Sequence, residues 1–199
     1  MIYSYLALGD SYTIGEQVNL SENFPYQTVQ LLRKNGLQFF APEIIAKTGW
    51  TTDELTMAIE STITLKKYDI VSLLIGVNNQ YRERSVNEFK IEFEHLLQTA
   101  IQFAGNRPDH VFVLSIPDWG ITPFALSRNI AKIATAIDQY NNICENSAKD
   151  FNAHFINITT SQRIDGNKAG FLSQDNLHPT GKEYAKWAEK LSQEIKKII

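Results

Sequence analysis

Apolar and polar positions along the chain switch repeatedly between two spacings. "IYSYLAL" (2–8) is a nearly unbroken apolar run and predicts a first strand. "FPYQTVQLLRKNG" then takes helical spacing and closes on Gly36, a residue favoured just past a helix end. "QFFAPEIIAKTG" holds a second strand, which Pro42 interrupts. A proline donates nothing to a ladder, so this strand is expected at a sheet edge. Thr51 and Glu54 have the spacing of a reciprocal helix cap, and Leu55, Ala58 and Ile59 give the helix an apolar face. "DIVSLLIG" (69–76) is apolar on both faces, as a central parallel strand is.

The alternation continues to the C-terminus. Ser85 and Glu88 repeat the capping spacing before a helix striped by Phe89, Phe93, Leu96, Leu97 and Ile101. "HVFVLSIP" predicts a fourth strand. A long helix follows with Ile130, Ile133, Ile137, Cys144 and Ala148 on one side, and "HFINI" (154–158) predicts a short fifth strand. The stretch up to Pro179 has no clear period. A last helix carries Tyr184, Trp187, Leu191, Ile195 and Ile198 on one face. Five strands alternating with helices predict an α/β fold, a parallel sheet with helices on both sides. With no repeat, linker or low-complexity tract, one domain over residues 1–199 is expected.

Composition narrows the function classes. A chain of 199 residues can bury roughly 70% of its unfolded surface without metals or disulfides. A net charge of −3 offers no electrostatic case for nucleic acid or an anionic membrane. No apolar run approaches the roughly 18 residues of a membrane span, so no stable membrane insertion is expected. Cys144 is the single cysteine and lies on an apolar stripe, which makes it a core residue rather than a reactive thiol. The first residues lack the basic segment and apolar core of a leader, so a cytoplasmic location is expected; a chain already trimmed of its leader would read the same.

The candidate chemistry collects at one edge of the predicted sheet. Ligands of open parallel sheets bind beyond the carboxyl ends of the strands. Those ends carry Gly9-Asp10-Ser11, Gly49-Trp50, "GVNN" (76–79) and, before the last helix, "DNLHP" (175–179). Each has a plain structural reading. Gly-Asp-Ser forms turns, Gly49 suits a turn, Asn78 caps a loop, and Asp175 with His178 can cap a helix beside a surface histidine. Taken together they supply what acyl transfer needs. A serine hydroxyl requires a base, for which a neutral histidine serves, and the histidine requires a carboxylate to fix its tautomer. An oxyanion requires fixed donors, here the N–H groups of Ser11 and Gly49 and the Asn78 amide. His95, His110 and His154 sit at no carboxyl end and are assigned to packing or surface.

Other motifs are missing. There is no G-x-S-x-G elbow, no G-x-G-x-x-G after a strand and no Walker loop. "DGNKAGFLSQDN" (165–176) opens like a calcium loop, but Ala169 and Asn176 occupy its fifth and twelfth places. The scattered histidines and lone cysteine lack zinc spacing. No metal or cofactor is expected.

Four blocks, "LGDSYT", "KTGWTTDEL", "LIGVNNQ" and "DNLHPTGKEY", occur in order from near the first residue to near the last. In these the chain resembles the SGNH, or GDSL-type, esterase/lipase family. The resemblance implies a flavodoxin-like three-layer α/β/α fold with strand order 2-1-3-4-5. It implies Ser11 as nucleophile, Gly49 and Asn78 as oxyanion donors, and Asp175 with His178 completing a triad. It implies a small-molecule ester as substrate: a carboxylester, thioester, lysophospholipid or acetylated carbohydrate. An acyltransferase using the same triad and a catalytically silent binding module are the competing classes, and the complete residue set argues against the second. Tyr12 stands where a leucine usually follows Gly-Asp-Ser, and Asn79 where an aspartate is common; both put the transfer of substrate preference in doubt. Tyr81, Trp119 and Phe124 follow the third and fourth strands and are expected to line part of the substrate pocket.

The strand order also sets a distance. With spacing of about 4.8 Å, the fifth strand lies roughly 14 Å sideways from the first. The segment Thr159–His178 is therefore expected to fold back as a long loop over the carboxyl edge and bring His178 into hydrogen-bond reach of Ser11.

Overall fold

A computed structural model describes residues 1–199. Its strands are β1 (Tyr5–Gly9), β2 (Glu43–Ala46), β3 (Ile70–Leu74), β4 (Val111–Leu114) and β5 (His154–Ile156). They form one parallel sheet in the order β2-β1-β3-β4-β5. The helices are α1 (Ser11–Ile14), α2 (Phe24–Lys34), α3 (Thr52–Ser61), α4 (Val77–Tyr81), α5 (Val86–Phe103), α6 (Ile130–Asp150), α7 (Thr159–Asp165) and α8 (Gly181–Ile195). Helices α2 and α8 pack together in one layer; α3, α5 and α6 pack in the other. The expected three-layer architecture and strand order are both present. No helix is long and apolar enough to cross a membrane.

Every residue of β1, β3 and β4 is buried, as strands covered on both faces must be. β2 is the edge strand that Pro42 predicted, and the proline also sets where pairing begins. Tyr3 makes an isolated bridge to Phe39, its N–H donating to Gln38 and its carbonyl accepting from Phe40. Regular pairing resumes only at Leu6 opposite Glu43. The first strand is accordingly shorter than its apolar run, and Ile2 lies exposed outside the ladder.

Helix starts follow the capping residues. Thr51 and Glu54 form the reciprocal cap of α3, and the Ser85 side chain accepts from the Glu88 N–H at the start of α5. Cys144 is fully buried on α6, and burial pushes its thiol pKa up, away from reactivity.

The return from β5 to the last helix departs from expectation. It is not one long loop, because residues 159–165 form α7. "TTSQRID" is polar and only two turns long, so it shows no apolar stripe; only Thr159 and Gln162 are buried. Polar contacts dock it instead. Asn157 accepts from the Thr160 N–H at its start, and Arg163 reaches Asp118 at 2.8 Å and Asp138 at 2.7 Å.

Gly76 joins β3 to α4 at φ +129°, a backbone state that L side chains avoid. A Cβ there would lie 2.6 Å from the Phe89 ring. Gly76→Ala should therefore cost at least about 2 kcal/mol from strain and overpacking together. Gly36 has φ +87° but open space around it, so Gly36→Ala should cost only about 1 kcal/mol. Urea unfolding of the two variants checks this; equal costs would show that the Phe89 contact relaxes freely.

Candidate active site

Gly9 ends β1 where a side chain has no room. A Cβ would lie 2.4 Å from the Leu74 carbonyl of β3 and 2.1 Å from the Thr13 hydroxyl. The next residue, Asp10, is fully buried and caps α1, its Oδ1 accepting from the Tyr12 N–H at 3.0 Å. Burial pushes the Asp10 carboxyl up to about 7, against the opposing hydrogen bond from Tyr12. Ser11 is then the first residue of α1, where an N–H has no partner within the helix. The Gly-Asp-Ser turn thus leaves one residue with both a hydroxyl and an unused amide at the carboxyl edge.

His178 lies on the opposite side of that hydroxyl. Its Nε2 is 2.9 Å from Ser11 Oγ, and its Nδ1 is 2.6 Å from Asp175 Oδ2. Asp175 uses its two oxygens differently. Oδ1 accepts the backbone N–H groups of Leu177 and His178 at 3.0 Å each and so folds the loop; Oδ2 holds the ring. This is the physical sense of the three-residue spacing. Partial burial raises the Asp175 pKa, but the bonds from the His178 ring and the two N–H groups outweigh it and hold the carboxyl below its ordinary value. An ionised carboxylate only accepts, so Nδ1 carries the proton and Nε2 accepts from Ser11. Leu172 pairs with Pro179, and Ser173 accepts from and donates to the backbone around His178, so the loop is braced on both flanks.

The two remaining predicted donors sit beside this pair. Gly49 turns at φ +86°, its carbonyl is held by Arg82 at 2.8 Å, and its N–H donates to no protein group. Asn78, on α4, donates one amide hydrogen to the Trp50 carbonyl at 3.0 Å, which leaves its second hydrogen free and oriented. Ser11, Gly49, Asn78 and His178 all line one cavity of about 180 Å³. Tyr81, Trp119 and Phe124 line it too. Their rings form one cluster, with centroids 5.2 to 6.3 Å apart. Trp119 is buried and its indole N–H is held by Gln80 at 2.7 Å, whereas Tyr81 and Phe124 are partly exposed at the mouth.

The profile of the GDSL-like lipase/acylhydrolase family matches residues 7–186, nearly the whole chain. The chain belongs to this family. No curated protein matches it. Among solved structures, a lipase/acylhydrolase from Enterococcus faecalis is similar, with 21% identity, TM-score 0.77 and coverage of 98% of this chain and 96% of that one. The psychrotrophic esterase EstA from Pseudoalteromonas sp., solved inhibited by monoethylphosphonate, shows 16% identity, TM-score 0.73 and coverage of 98% and 97%. An acetylxylan esterase from Geobacillus stearothermophilus shows 17% identity, TM-score 0.75 and coverage of 97% and 94%. At these identities the likeness is one of fold.

Four residues of the lining are not expected there from the sequence. Tyr12, Thr48, Val77 and Leu177 complete the cavity lining. Each adjoins or nearly adjoins a motif residue, which is the signal that could have found them. Tyr12 is buried with its ring 5.1 Å from that of His178, so the family's usual leucine is replaced by an aromatic packed on the histidine. Asn79 turns away from the cavity. Its Oδ1 accepts from the Thr52 N–H at 3.1 Å and its Nδ2 donates to the Thr52 hydroxyl at 2.6 Å. That hydroxyl in turn donates to Glu92.

This chain of bonds explains why an amide suits position 79. The Thr52 hydroxyl gives its only hydrogen to Glu92, so its neighbour at 79 must donate. Asn79→Asp would set a carboxylate against an acceptor, with Glu92 close behind. The variant should lose about 1–3 kcal/mol of stability, and Glu92→Gln should restore part of it. A double-mutant cycle by urea unfolding checks this; additive losses would show that the two positions are uncoupled.

Proposed function

We propose that the protein is a serine ester hydrolase that works through an acyl-enzyme on Ser11. The observation that carries the reading is the 2.9 Å contact between Ser11 Oγ and His178 Nε2, with Asp175 on the other ring nitrogen, at the wall of an apolar cavity. In this reading Ser11 Oγ attacks the ester carbonyl as His178 takes its proton. Asp175 holds the tautomer and steadies the imidazolium. The oxyanion accepts from the N–H groups of Ser11 and Gly49 and from the free amide hydrogen of Asn78. Collapse breaks the bond to the alcohol, which leaves with the proton from His178. Water then repeats the sequence on the acyl-enzyme and releases the acid.

The substrate class is a small-molecule carboxylic ester: a carboxylester, thioester, lysophospholipid or acetylated carbohydrate. The cavity bears on the size of the group beside the carbonyl. It is smaller than the roughly 300–1,000 Å³ of drug-sized ligand sites, and its lining is mainly apolar. A short acyl or alcohol group fits such a space, with Tyr81, Trp119 and Phe124 as its walls.

Ser11→Ala should reduce hydrolysis of a p-nitrophenyl ester to background and abolish covalent labelling by an alkyl phosphonate, read by intact-protein mass spectrometry. Labelling that survives on another serine would overturn the assignment. Asn78→Ala should lower kcat by about 10²–10³ with a much smaller change in KM, as the loss of one oxyanion donor does. Steady-state kinetics measure the split; a loss confined to KM would remove Asn78 from the oxyanion site.

A further inference from the structure

We propose that the groove behind Tyr81 is a subsite for an anionic group carried by the ester, a carboxylate or phosphate, received by Arg128 and the Gln80 amide. The inference rests on the ester-hydrolase reading and narrows its substrate class.

Tyr81 and Trp119 form a wall shared by two cavities. On one side is the cavity that contains Ser11; on the other is a second, of about 300 Å³, lined also by Gln80, Glu83, Arg128 and Lys132. Gln80 is only 8% exposed. Its Oε1 accepts the indole N–H of Trp119 at 2.7 Å, and this fixes which end of the amide points elsewhere. The other end, Nε2, donates to no protein group. That nitrogen keeps contact with solvent, so it is open to an acceptor arriving in the groove.

The charges of the groove point the same way. Lys132 and Glu83 pair at 2.9 Å and cancel. Arg128 makes no ion pair within 4.0 Å and instead lies over the Tyr81 ring, 5.7 Å from its centroid. The net charge of the lining is therefore that of one unpaired guanidinium. The N-terminus of the 21-residue helix α6 opens at the same place, capped by Asn129, and adds its positive dipole end. A planar cation, an amide donor and a helix N-terminus make a receptor for an oxyanion. Because Arg128 stacks on the ring that walls the acyl cavity, the anion and the scissile carbonyl would lie on opposite sides of one side chain. An anion attached to the ester by a short arm passing the partly exposed Tyr81 edge could occupy both cavities.

The test uses the full chain and matched pairs of esters, one neutral and one ending in a carboxylate at the same length. In one pair the charge sits on the acyl chain, in the other on the alcohol. The reading is the ratio of kcat/KM for the anionic ester to that for the neutral one. In at least one pair, Arg128→Gln should lower this ratio about tenfold, chiefly through KM, and Arg128→Glu further. Arg128→Lys should retain much of it. Ratios within about twofold of wild type for all three variants in both pairs would overturn the subsite. If the wild type hydrolyses no ester, the catalytic reading fails and the subsite is judged separately by calorimetric titration of inorganic phosphate. Phosphate binding weakened by Arg128→Gln would support it, and binding that is undetectable or unaltered by Arg128→Gln would overturn it.

Discussion

The parallel pairing of β1 with β3 governs the geometry of everything at the carboxyl edge. Gly9 lies opposite Leu74, so both strands end at one level. Two residues beyond Gly9 comes Ser11, and four beyond Leu74 comes Asn78. No side chain at residue 9 could coexist with the approach of the Leu74 carbonyl and Thr13. A register slip of one residue would turn each buried side chain to the other face. Since β1 and β3 are buried throughout, both layers resist such a slip. The relative position of the hydroxyl and the amide is therefore fixed by the most deeply buried part of the sheet, and not by the short helices that bear them.

His178 reaches the same edge by a different route. It follows an edge strand, and strand pairing alone cannot bring it to β1. Its position is set by a series of polar ties between the return segment and the body. Arg163 holds α7 to Asp118, Lys186 joins the end of α7 to α8 through Asp165 at 2.5 Å, and Asn176 accepts from the Phe124 N–H at 3.2 Å. The last tie links the loop of Asp175 to the loop that carries the aromatic wall. A shift of the histidine and a change in the cavity wall are thus mechanically connected.

This contrast explains what the sequence reveals and what it conceals. Strands β1, β3 and β4 are legible because residues buried on both faces must be apolar whatever their neighbours. Pro42 identifies the edge strand by subtracting a donor. Gly9, Ser11, Gly49, Asn78, Asp175 and His178 are legible because acyl transfer needs those groups and the βαβ pattern assigns them one edge. Helix α7 is hidden because polar bonds, not an apolar face, hold it. Gln80 and the Trp50 carbonyl are hidden for a related reason: each acts by orienting another residue, and neither an amide nor a backbone oxygen distinguishes itself in a string of letters. Asn79 stands between these cases. Its departure from the family pattern is visible, but the bond to Thr52 that accounts for it appears only in three dimensions.

Two carboxylates near Ser11 show how environment separates like groups. Asp10 and Asp175 both lie close to Ser11, and their pKa values move in opposite directions. Asp10 is wholly buried with one oxygen unpaired, and burial raises it to about 7. Asp175 is partly buried too, but three hydrogen bonds favour its charge and win. Only the second is a dependable anion beside the His178 ring. The first suits a different task, in which one oxygen caps the turn that carries Ser11. The sign for stability follows. A buried acid whose native pKa lies above its unfolded value retains a proton that the unfolded chain has lost, so its contribution falls as pH rises from about 4 towards 7. A depressed one contributes above its unfolded pKa and loses that contribution as pH falls through the native value. The turn at Asp10 therefore weakens as pH rises from about 4 towards 7. The β1–β3 pairing beneath it must hold Ser11 in place through that range, and its complete burial is suited to do so.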